Sequence, residues 1–463
     1  MEKVHKQKPG ECCCLIYTSG TTGMPKGCML SHDNLTWGVG VTRQIGIEQM
    51  PEAIGPDNRV VSYLPLSHIA GIVFDIMAHY SNMHETYFAK PDALSGSLVE
   101  TLQWARPTRF LAVPRIWEKF EEKLKEVAAT KPAILQRLSA WAKQYGTLNT
   151  LAKMKNEDPP MMYSVANAIV LRTVKKALGL DQSLAFFYGA APLKQSTIDY
   201  FSSLDITLFN SYGLSETSAS ATINTYKHFK LNGSCGFAMP GSQVKIDNPD
   251  ENGEGEILIR GRHIMMGYLK NEQATIDTID KDGYLKSGDK GKFDKDGFLY
   301  ITGRIKELII TAGGENVAPV PIEDTFKTIC VACANIMVVG ENQRFMAALI
   351  TFKVDVDMKT GLPSRNLTGE AVSYLRAETG NTYKTTDEAI NDPKVLEVIN
   401  RDIEKTNKKS VSRAAHIRKF KLLPLDFSTP GGELTPTLKL KRKVTENKYK
   451  QEINEMFKFD AKL

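Results

Sequence analysis

Residues 18–27 read Thr-Ser-Gly-Thr-Thr-Gly-Met-Pro-Lys-Gly, and they follow the short apolar run Leu-Ile-Tyr at 15–17. The apolar run predicts a buried strand, and the glycines and hydroxyl residues predict a tight loop after it. Glycines let backbone N–H groups approach an anion closely, while hydroxyls and Lys26 add donors and positive charge. The segment therefore predicts a loop that holds a polyphosphate.

The loop differs from a Walker A loop. That motif ends in Gly-Lys followed by Ser or Thr, whereas Lys26 lies between Pro25 and Gly27. The alternative interpretation is a surface turn rich in glycine and threonine. The preceding strand and the motifs further along the chain favour phosphate binding.

Composition places few limits on function. The chain has 463 residues, of which 42% are hydrophobic and 24% are charged, as in ordinary globular proteins of two or three domains. A net charge of +6 is too dilute to predict nucleic-acid binding, although a weakly basic surface suits an anionic substrate or an anionic membrane face. No apolar run reaches the ~18 residues of a transmembrane helix.

The seven cysteines are an odd number, which fits a reducing compartment. Cys12 to Cys14 are consecutive and lie in the predicted strand before the loop. Cys330 and Cys333 form a single Cys-x-x-Cys pair with no second pair or histidine at zinc spacing. Because an apolar run follows them, we interpret them as buried thiols.

The organisation of the chain predicts an α/β fold. Over 59–240, apolar strands alternate with helical stretches at 115–128 and 133–146, which favours a parallel sheet flanked by helices. The strand candidates are 59–64, 108–113, 184–188 and 206–210. From about 241 the pattern changes to short strands with tight turns, which predicts a small β region.

The remaining sequence predicts a smaller α+β domain. We place the boundary so that 1–303 form the first domain and 304–463 the second, which begins with strand–helix–strand signals at 307–354. A polar stretch at 357–395 predicts a surface insertion. Lysine-rich sequence after it predicts helices to the end.

Further motifs follow the loop. Residues 188–192 read Tyr-Gly-Ala-Ala-Pro after a strand, where small residues leave room for a flat ring, and 210–217 read Asn-Ser-Tyr-Gly-Leu-Ser-Glu-Thr. Glu216 in the second motif is a hard oxygen ligand suited to Mg²⁺. Asp289 has two acceptor oxygens that match a vicinal diol such as ribose. Taken alone, the motif at 188–192 is better explained by a plain turn.

Near the end, 434–442 read Leu-Thr-Pro-Thr-Leu-Lys-Leu-Lys-Arg. A nuclear-import signal or a solvated basic tail is the alternative interpretation of this run. An extended, period-2 conformation would direct Lys439 and Lys441 to the same side.

Together these motifs resemble, in order and spacing, the AMP-forming adenylating enzyme superfamily. The amino-acid sequences at 16–34, at 64–70 (Leu-Pro-Leu-Ser-His-Ile-Ala) and at 310–323 resemble those of the bubblegum-type long-chain acyl-CoA synthetases in particular. The resemblance covers nearly all of the chain. Family members carry a large N-terminal portion before the loop, so we expect that on the order of two hundred residues are absent here, which makes 1–303 an N-terminally truncated adenylation domain.

The resemblance implies roles for individual residues. Lys439 is the catalytic lysine when the last motif is aligned on Leu440 and Arg442, with Lys441 as the alternative, although Leu438 replaces the family's usual glycine. Glu216 and Thr217 act in catalysis, and Thr18 and Glu216 hold Mg²⁺. The residues assigned to ATP are Thr18, Ser19, Gly20, Thr21, Thr22, Gly23, Met24, Pro25, Lys26, Gly189, Ala190, Ser211, Tyr212, Gly213, Leu214, Ser215, Glu216, Thr217, Asp289, Arg304 and Lys439.

The implied activity is conversion of long-chain fatty acids to acyl-CoA through acyl-AMP, with ATP, Mg²⁺ and coenzyme A as the other participants. The implied second domain rotates about Lys306. Nucleic acid is not an expected partner, and the expected location is the cytoplasm, with peripheral attachment to the endoplasmic reticulum membrane left open. Two alternatives also remain: a ligase for another class of acid, and a truncated form that is inactive or regulatory.

Overall fold

A computed structural model describes residues 6–18, 25–357, 360–410 and 412–458. The chain divides into two compact units, Met1–Ile301 and Thr302–Leu463. The first unit contains the parallel sheet and the small β region, and the second is a smaller α+β unit.

The first unit begins with a hairpin around the predicted phosphate loop. Strands β1 (Cys12–Thr18) and β2 (Lys26–Ser31) are antiparallel, and Thr18 pairs with Lys26 at the open end. Helix α1 (His32–Gln49) follows directly, because Ser31 and Asn34 form a reciprocal capping box at its start.

The strand before the loop is present, but the expectation that it is buried is only partly correct. Ile16 is buried, whereas Leu15 is 42% exposed and Tyr17 is 62% exposed. Successive side chains of a strand point to opposite faces of its sheet, so Ile16 lies on the buried face and Leu15 and Tyr17 lie on the exposed face.

The parallel sheets confirm the predicted α/β class. Strand β3 (Arg59–Ser62) is parallel to β4 (Glu85–Phe88), and β5 (Arg109–Ala112), β6 (Ala185–Gly189) and β7 (Leu208–Tyr212) form a second parallel set. Strands β8 (Thr222–Ile223) and β9 (Phe237–Ala238) extend this second set in the antiparallel sense.

Helices cover these sheets. Trp117 is fully buried with its ring edge-to-face against Phe201 at 4.9 Å; burying each such ring stabilises the fold by about 1.5–3 kcal/mol. The helices of this region are α2 (Ile69–Gly71), α3 (Ala78–Asn82), α4 (Leu98–Ala105), α5 (Pro114–Ala129), α6 (Ala133–Lys155), α7 (Tyr163–Ala166), α8 (Arg172–Ala177) and α9 (Gln195–Ser203).

The small β region is a four-stranded sheet in the order β10-β11-β13-β14. Its members are β10 (Gln243–Asp247), β11 (Gly255–Arg260), β13 (Leu285–Phe293) and β14 (Leu299–Arg304). Between them, the short strand β12 (Gly267–Tyr268) leaves this sheet and pairs with β2, and helix α10 (Glu272–Thr278) follows it. Strand β12 thus connects the small β region to the phosphate-loop hairpin.

The second unit is built on the sheet β17-β18-β21, in which β18 and β21 are parallel. Cys330 and Cys333 are both buried, which confirms the interpretation of the Cys-x-x-Cys pair as core thiols. The elements are β15 (Ile309–Ile310), β16 (Asn316–Val317), α11 (Pro319–Ile329), β17 (Cys333–Val339), β18 (Met346–Phe352), β19 (Val354–Val356), β20 (Pro363–Leu367), α12 (Gly369–Thr379), α13 (Thr386–Ala389), α14 (Pro393–Asn407), β21 (Ile417–Leu422), α15 (Arg442–Lys448) and α16 (Lys450–Phe457).

The expectation of a surface insertion at 357–395 is wrong. Leu375 and Ala389 in this stretch are fully buried in the core of the second unit, and Tyr383 is 5% exposed. The stretch contains β20, α12 and α13, and these side chains anchor it to the core. The expectation of helices from there to the end is only partly correct: α15 and α16 are helices, whereas β21 is a strand of the central sheet.

Candidate active site

Two of the predicted motifs meet at the carboxyl ends of β6 and β7. Gly189 at the end of β6 pairs with Ser211 in β7, and a Cβ at Gly189 would lie 2.6 Å from the Ser211 carbonyl oxygen. The strand must therefore end in glycine. Ala190, the next residue, has a φ of +68°, a left-handed conformation that is uncommon for a residue with a side chain. Strained backbone of this kind concentrates at functional sites.

The loop after β7 is held in one conformation by its own polar groups. Thr217 is fully buried, and its hydroxyl accepts from the Leu214 N–H at 2.8 Å and donates within the loop. Gly213 has no space for a Cβ, which would run into the carbonyl of Ala219. The Thr217 hydroxyl therefore stabilises the loop in this conformation, and its contact with ATP remains a prediction.

Glu216 and Lys26 both contact one side chain that the sequence analysis did not single out. The hydroxyl of Tyr268 donates a hydrogen bond to Glu216 Oε1 over 2.7 Å, and Lys26 Nζ lies 4.8 Å from the centroid of the same ring. Burial, and then the adjacent Glu216 carboxylate, raise the pKa of Tyr268, so its hydroxyl stays protonated at neutral pH. This contact joins the end of the phosphate loop to the predicted metal ligand.

Tyr212 and Asp289 form a second pair across the first unit. The Tyr212 hydroxyl donates to Asp289 Oδ2 over 2.9 Å, and Asp289 is 3% exposed. The Asp289 N–H in turn donates to the Ser287 hydroxyl at 3.0 Å. Burial, followed by the Asp289 carboxylate, raises the pKa of Tyr212 well above its usual value. The structure thus brings together two residues that the sequence analysis assigned to ATP from separate motifs.

Several predicted loop residues lie outside the described part of the chain. At the two ends of the loop, the Thr18 hydroxyl donates to the Lys26 carbonyl at 3.5 Å and Pro25 is exposed. The residues that lie outside are Ser19, Gly20, Thr21, Thr22, Gly23 and Met24.

The second unit contains Arg304 and Lys439. Arg304 Nη1 lies 3.7 Å from Glu307 Oε1. Lys439 lies in a tight turn in which its N–H donates to the Thr435 hydroxyl at 3.0 Å and its carbonyl accepts from the Thr435 N–H at 2.8 Å. Lys441 instead precedes helix α15. The expectation of an extended, period-2 segment here is therefore wrong.

Leu438, where the family pattern has glycine, has a φ of +61°. A non-glycine residue in this left-handed conformation costs about 1–2 kcal/mol. Glycine removes this cost, but it has greater freedom in the unfolded chain and loses the packing of the Leu438 side chain. We expect the net effect of Leu438→Gly to be a rise of about 1 kcal/mol in the free energy of unfolding. Urea unfolding followed by circular dichroism measures this change.

Glu446→Gly is the control for this prediction. Glu446 lies within helix α15, where glycine should lower the stability by about 1 kcal/mol because it costs more backbone entropy than other residues do. A Leu438→Gly variant destabilised as much as Glu446→Gly would contradict the prediction.

Comparison with known proteins agrees with this geometry. Residues 1–269, more than half of the chain, match the family described as AMP-binding enzyme. The chain belongs to the AMP-binding enzyme family. A curated relative, the long-chain-fatty-acid–CoA ligase ACSBG2 of Gallus gallus, is 47% identical over 460 residues, which cover 98% of this chain and 60% of that protein. The Mus musculus ACSBG2 is 43% identical over 454 residues, covering 97% of this chain and 68% of that protein.

Solved structures share the fold of this AMP-binding enzyme. The o-succinylbenzoate CoA synthetase of Bacillus subtilis, in complex with ATP and magnesium ion, aligns with a TM-score of 0.59 at 19% identity, covering 94% of this chain and 70% of that one. The expected adenylating-enzyme fold is thereby confirmed. The chain spans about 60% of the length of the Gallus gallus relative.

A bridging segment, residues 262–269, is the part of this AMP-binding enzyme's site that sequence reasoning missed. The Asn34 side-chain amide donates to the carbonyl of Arg262 at 2.6 Å, and the Met265 N–H donates to the carbonyl of Glu216 at 2.9 Å. The Gly-Tyr pair at 267–268 was the available signal, but such a pair is common in turns.

Among the helices of the described residues, none is both long and apolar enough to cross a bilayer.

Proposed function

We propose that this chain activates long-chain fatty acids with ATP and transfers them to coenzyme A through an acyl-AMP intermediate, releasing AMP and pyrophosphate. The observation that carries the proposal is the convergence of separate motifs in the first unit. Gly189 pairs with Ser211, Tyr212 bonds to Asp289, and Glu216 is joined to Lys26 through Tyr268. The fatty-acid specificity is taken from the names of the ACSBG2 relatives.

The chemistry explains why such residues are needed. A carboxylate is a poor electrophile because oxide is a prohibitive leaving group. When a carboxylate oxygen attacks the α-phosphorus of ATP, the bond from that phosphorus to the bridging oxygen breaks, and pyrophosphate leaves with that oxygen. The thiol sulfur of coenzyme A then attacks the acyl carbon, the thiol proton is lost, and AMP leaves. The protein contributes positioning and charge stabilisation to both steps.

The residues present fit a magnesium ion. Mg²⁺ is usually bound through one or two carboxylates together with phosphate oxygens and water, where it neutralises charge on the phosphates. Glu216 is partly exposed, and one of its two carboxylate oxygens takes the Tyr268 hydroxyl. Within the described ranges, no cluster of three or more His, Cys, Asp or Glu residues forms an all-protein metal cage. We assign Glu216, with Thr18, to this ion.

The remaining residues have distinct tasks in the proposal. Lys26 and the loop before it bind the pyrophosphate portion of ATP, and the small residues Gly189 and Ala190 leave room for the adenine. Asp289, held by Tyr212, accepts hydrogen bonds from the ribose. Lys439 offsets the negative charges of the fatty carboxylate and the α-phosphate as they approach each other.

We place the reaction in the cytoplasm. All seven cysteines are free thiols, including the four that are buried, Cys28, Cys235, Cys330 and Cys333. Unpaired thiols in this number suit a reducing compartment.

The test is the complete reaction of the purified 463-residue chain, supplied with ATP, Mg²⁺, coenzyme A and each of a panel of acids. We expect AMP release that depends on palmitate, at a kcat/KM at least ~10²-fold above that for acetate or benzoate, because each buried methylene contributes about 0.8 kcal/mol. Faster use of benzoate or acetate would assign the chain to another class of acid. A chain that binds ATP but releases no AMP with any acid would contradict an enzymatic function.

A further inference from the structure

Tyr268 contacts two residues that the proposed function assigns to different parts of the ATP–magnesium complex. Its hydroxyl donates to Glu216 Oε1 at 2.7 Å, while the face of its ring lies 4.8 Å from Lys26 Nζ. Tyr268 is 7% exposed. A cation over the face of an aromatic ring is held by the ring quadrupole, and a phenol bound to a carboxylate is a charge-assisted hydrogen bond. One side chain therefore restrains both charges.

The backbone fixes Tyr268 with respect to both elements. In the pairing of β12 with β2, Tyr268 lies opposite Cys28, two residues after Lys26. The Tyr268 N–H donates to the Thr275 hydroxyl at 2.9 Å. Cys28, in turn, lies beside the loop that contains Glu216, with its Sγ 3.6 Å from the Ser215 carbonyl. The Tyr268 ring therefore lies between the β1–β2 hairpin and the loop that contains Glu216.

The glycine before Tyr268 is required by this arrangement. Gly267 has a φ of +138°, and a Cβ there would lie 2.8 Å from Thr275 Cγ2. A residue with a side chain would be strained at this φ and would crowd the Thr275 side chain. The Gly-Tyr pair is consequently a unit: the glycine permits the close approach and the tyrosine makes the contacts.

Lys26 and Glu216 each contact Tyr268 by a different part of its side chain. In the described part of the chain these two residues form no direct ion pair; Lys26 has the ring face and Glu216 has the hydroxyl. A direct pair would have to break before Lys26 could bind phosphate and Glu216 could bind a cation. Tyr268 satisfies each of them with a neutral group, which leaves both charges available to the ligand.

We propose that Tyr268 is a positioning residue that holds Glu216 for Mg²⁺ and Lys26 for phosphate; the inference rests on the proposed function for the roles of those two residues. The effects of the hydroxyl and of the ring can be measured separately, because the hydroxyl acts through Glu216 and the ring acts through Lys26. Phenylalanine at 268 keeps the ring and removes the hydroxyl, whereas leucine removes both.

The experiment measures ATP binding to the 463-residue chain by calorimetry, at saturating Mn²⁺ and again with EDTA, without any acyl substrate. We expect Tyr268→Phe to reduce the gain in ATP affinity that Mn²⁺ provides by ~10-fold, as for other residues that orient metal ligands, and to leave the affinity in EDTA unchanged. Tyr268→Leu should weaken binding in EDTA as well. In a Glu216→Gln background, Tyr268→Phe should have no further effect on the metal-dependent gain.

Tyr284→Phe is the matched control. The Tyr284 hydroxyl also donates to a side chain, Gln243 Oε1 at 2.9 Å, and its ring also carries a lysine, with Lys245 Nζ at 4.0 Å, but neither partner is assigned to ATP. This variant should bind ATP as the wild type does, and all variants should keep the wild-type circular dichroism spectrum.

The outcomes separate this inference from the proposed function. A Tyr268→Phe variant with the full metal-dependent gain, or one that loses as much in the Glu216→Gln background, would overturn the role of Tyr268. A wild type that shows the metal-dependent gain but adenylates no acid would overturn the proposed function and leave the role of Tyr268 standing. Absence of metal-dependent ATP binding in the wild type would overturn both.

Discussion

Lys439→Ala is expected to slow acyl-AMP formation by ~10²–10³-fold, the usual effect of removing one group that stabilises charge in a transition state. The proposed function brings a carboxylate against an α-phosphate, and these two anions repel each other. The ammonium group of Lys439 offsets that repulsion only while the two approach. Thioester formation from supplied acyl-AMP should therefore proceed near the wild-type rate.

The two half-reactions can be measured separately. Adenylation is followed by release of pyrophosphate in single-turnover experiments with palmitate and ATP, and thioester formation by consumption of synthetic palmitoyl-AMP with coenzyme A. Lys439→Arg should recover part of the adenylation rate, because it restores the charge without the geometry of an ammonium group.

Lys441→Ala is the matched control for Lys439→Ala. Lys441 contributes its backbone N–H to the turn, donating to the Glu433 carbonyl at 2.7 Å, and alanine retains that hydrogen bond. We expect both half-reactions to stay close to the wild-type rates. If Lys441→Ala abolished adenylation and Lys439→Ala did not, the alignment on Leu440 and Arg442 would be wrong and the catalytic role would pass to Lys441.

Local patterns were sufficient for most of the first unit. The amphipathic run at 115–128 predicted α5 to within a residue at each end, and the strand candidate at 108–113 contains β5. These signals are reliable because a helix with one buried face, or a strand buried on both faces, produces a pattern of apolar residues within one short stretch of sequence. The order of the motifs then indicated the family.

The misplaced elements have identifiable physical causes. At 357–395 the composition is polar, but Leu375 and Ala389 are enough to seat short helices in the core of the second unit. Around Leu438, a left-handed residue turns the chain where a period-2 pattern predicted a strand. Both outcomes depend on tertiary packing that overrides local preference.

The site was only partly predictable because its contacts are long-range. Tyr268 reaches Glu216 across 52 residues and meets Lys26 through the pairing of β12 with β2. Nothing in the spacing of a Gly-Tyr pair indicates such a contact. Residues in named motifs could be proposed individually, whereas the residue that joins two motifs became visible only in three dimensions.

Glu216→Ala is expected to slow adenylation by ~10²-fold and to remove most of the dependence of ATP binding on divalent metal. In the proposal, Glu216 is the carboxylate that the protein offers to Mg²⁺, whose other ligands come largely from the phosphates. Without it the cation would still accompany ATP but would no longer be fixed relative to the loop. The rate should recover only slightly at high Mg²⁺.

Glu216→Gln distinguishes loss of charge from loss of structure. Glutamine keeps an oxygen that can accept the Tyr268 hydroxyl, so the contact seen at 2.7 Å can persist while the negative charge is gone. If the charge is what matters, the glutamine variant should be impaired nearly as much as the alanine variant, with an unchanged melting temperature. Glu251→Ala, which removes an exposed carboxylate from a turn in the small β region, is the control for a general change in charge. The assignment of the metal to Glu216 would be wrong if wild type and Glu216→Ala formed acyl-AMP at equal rates with equal metal dependence. The cation would then have to be held by phosphate and the loop alone.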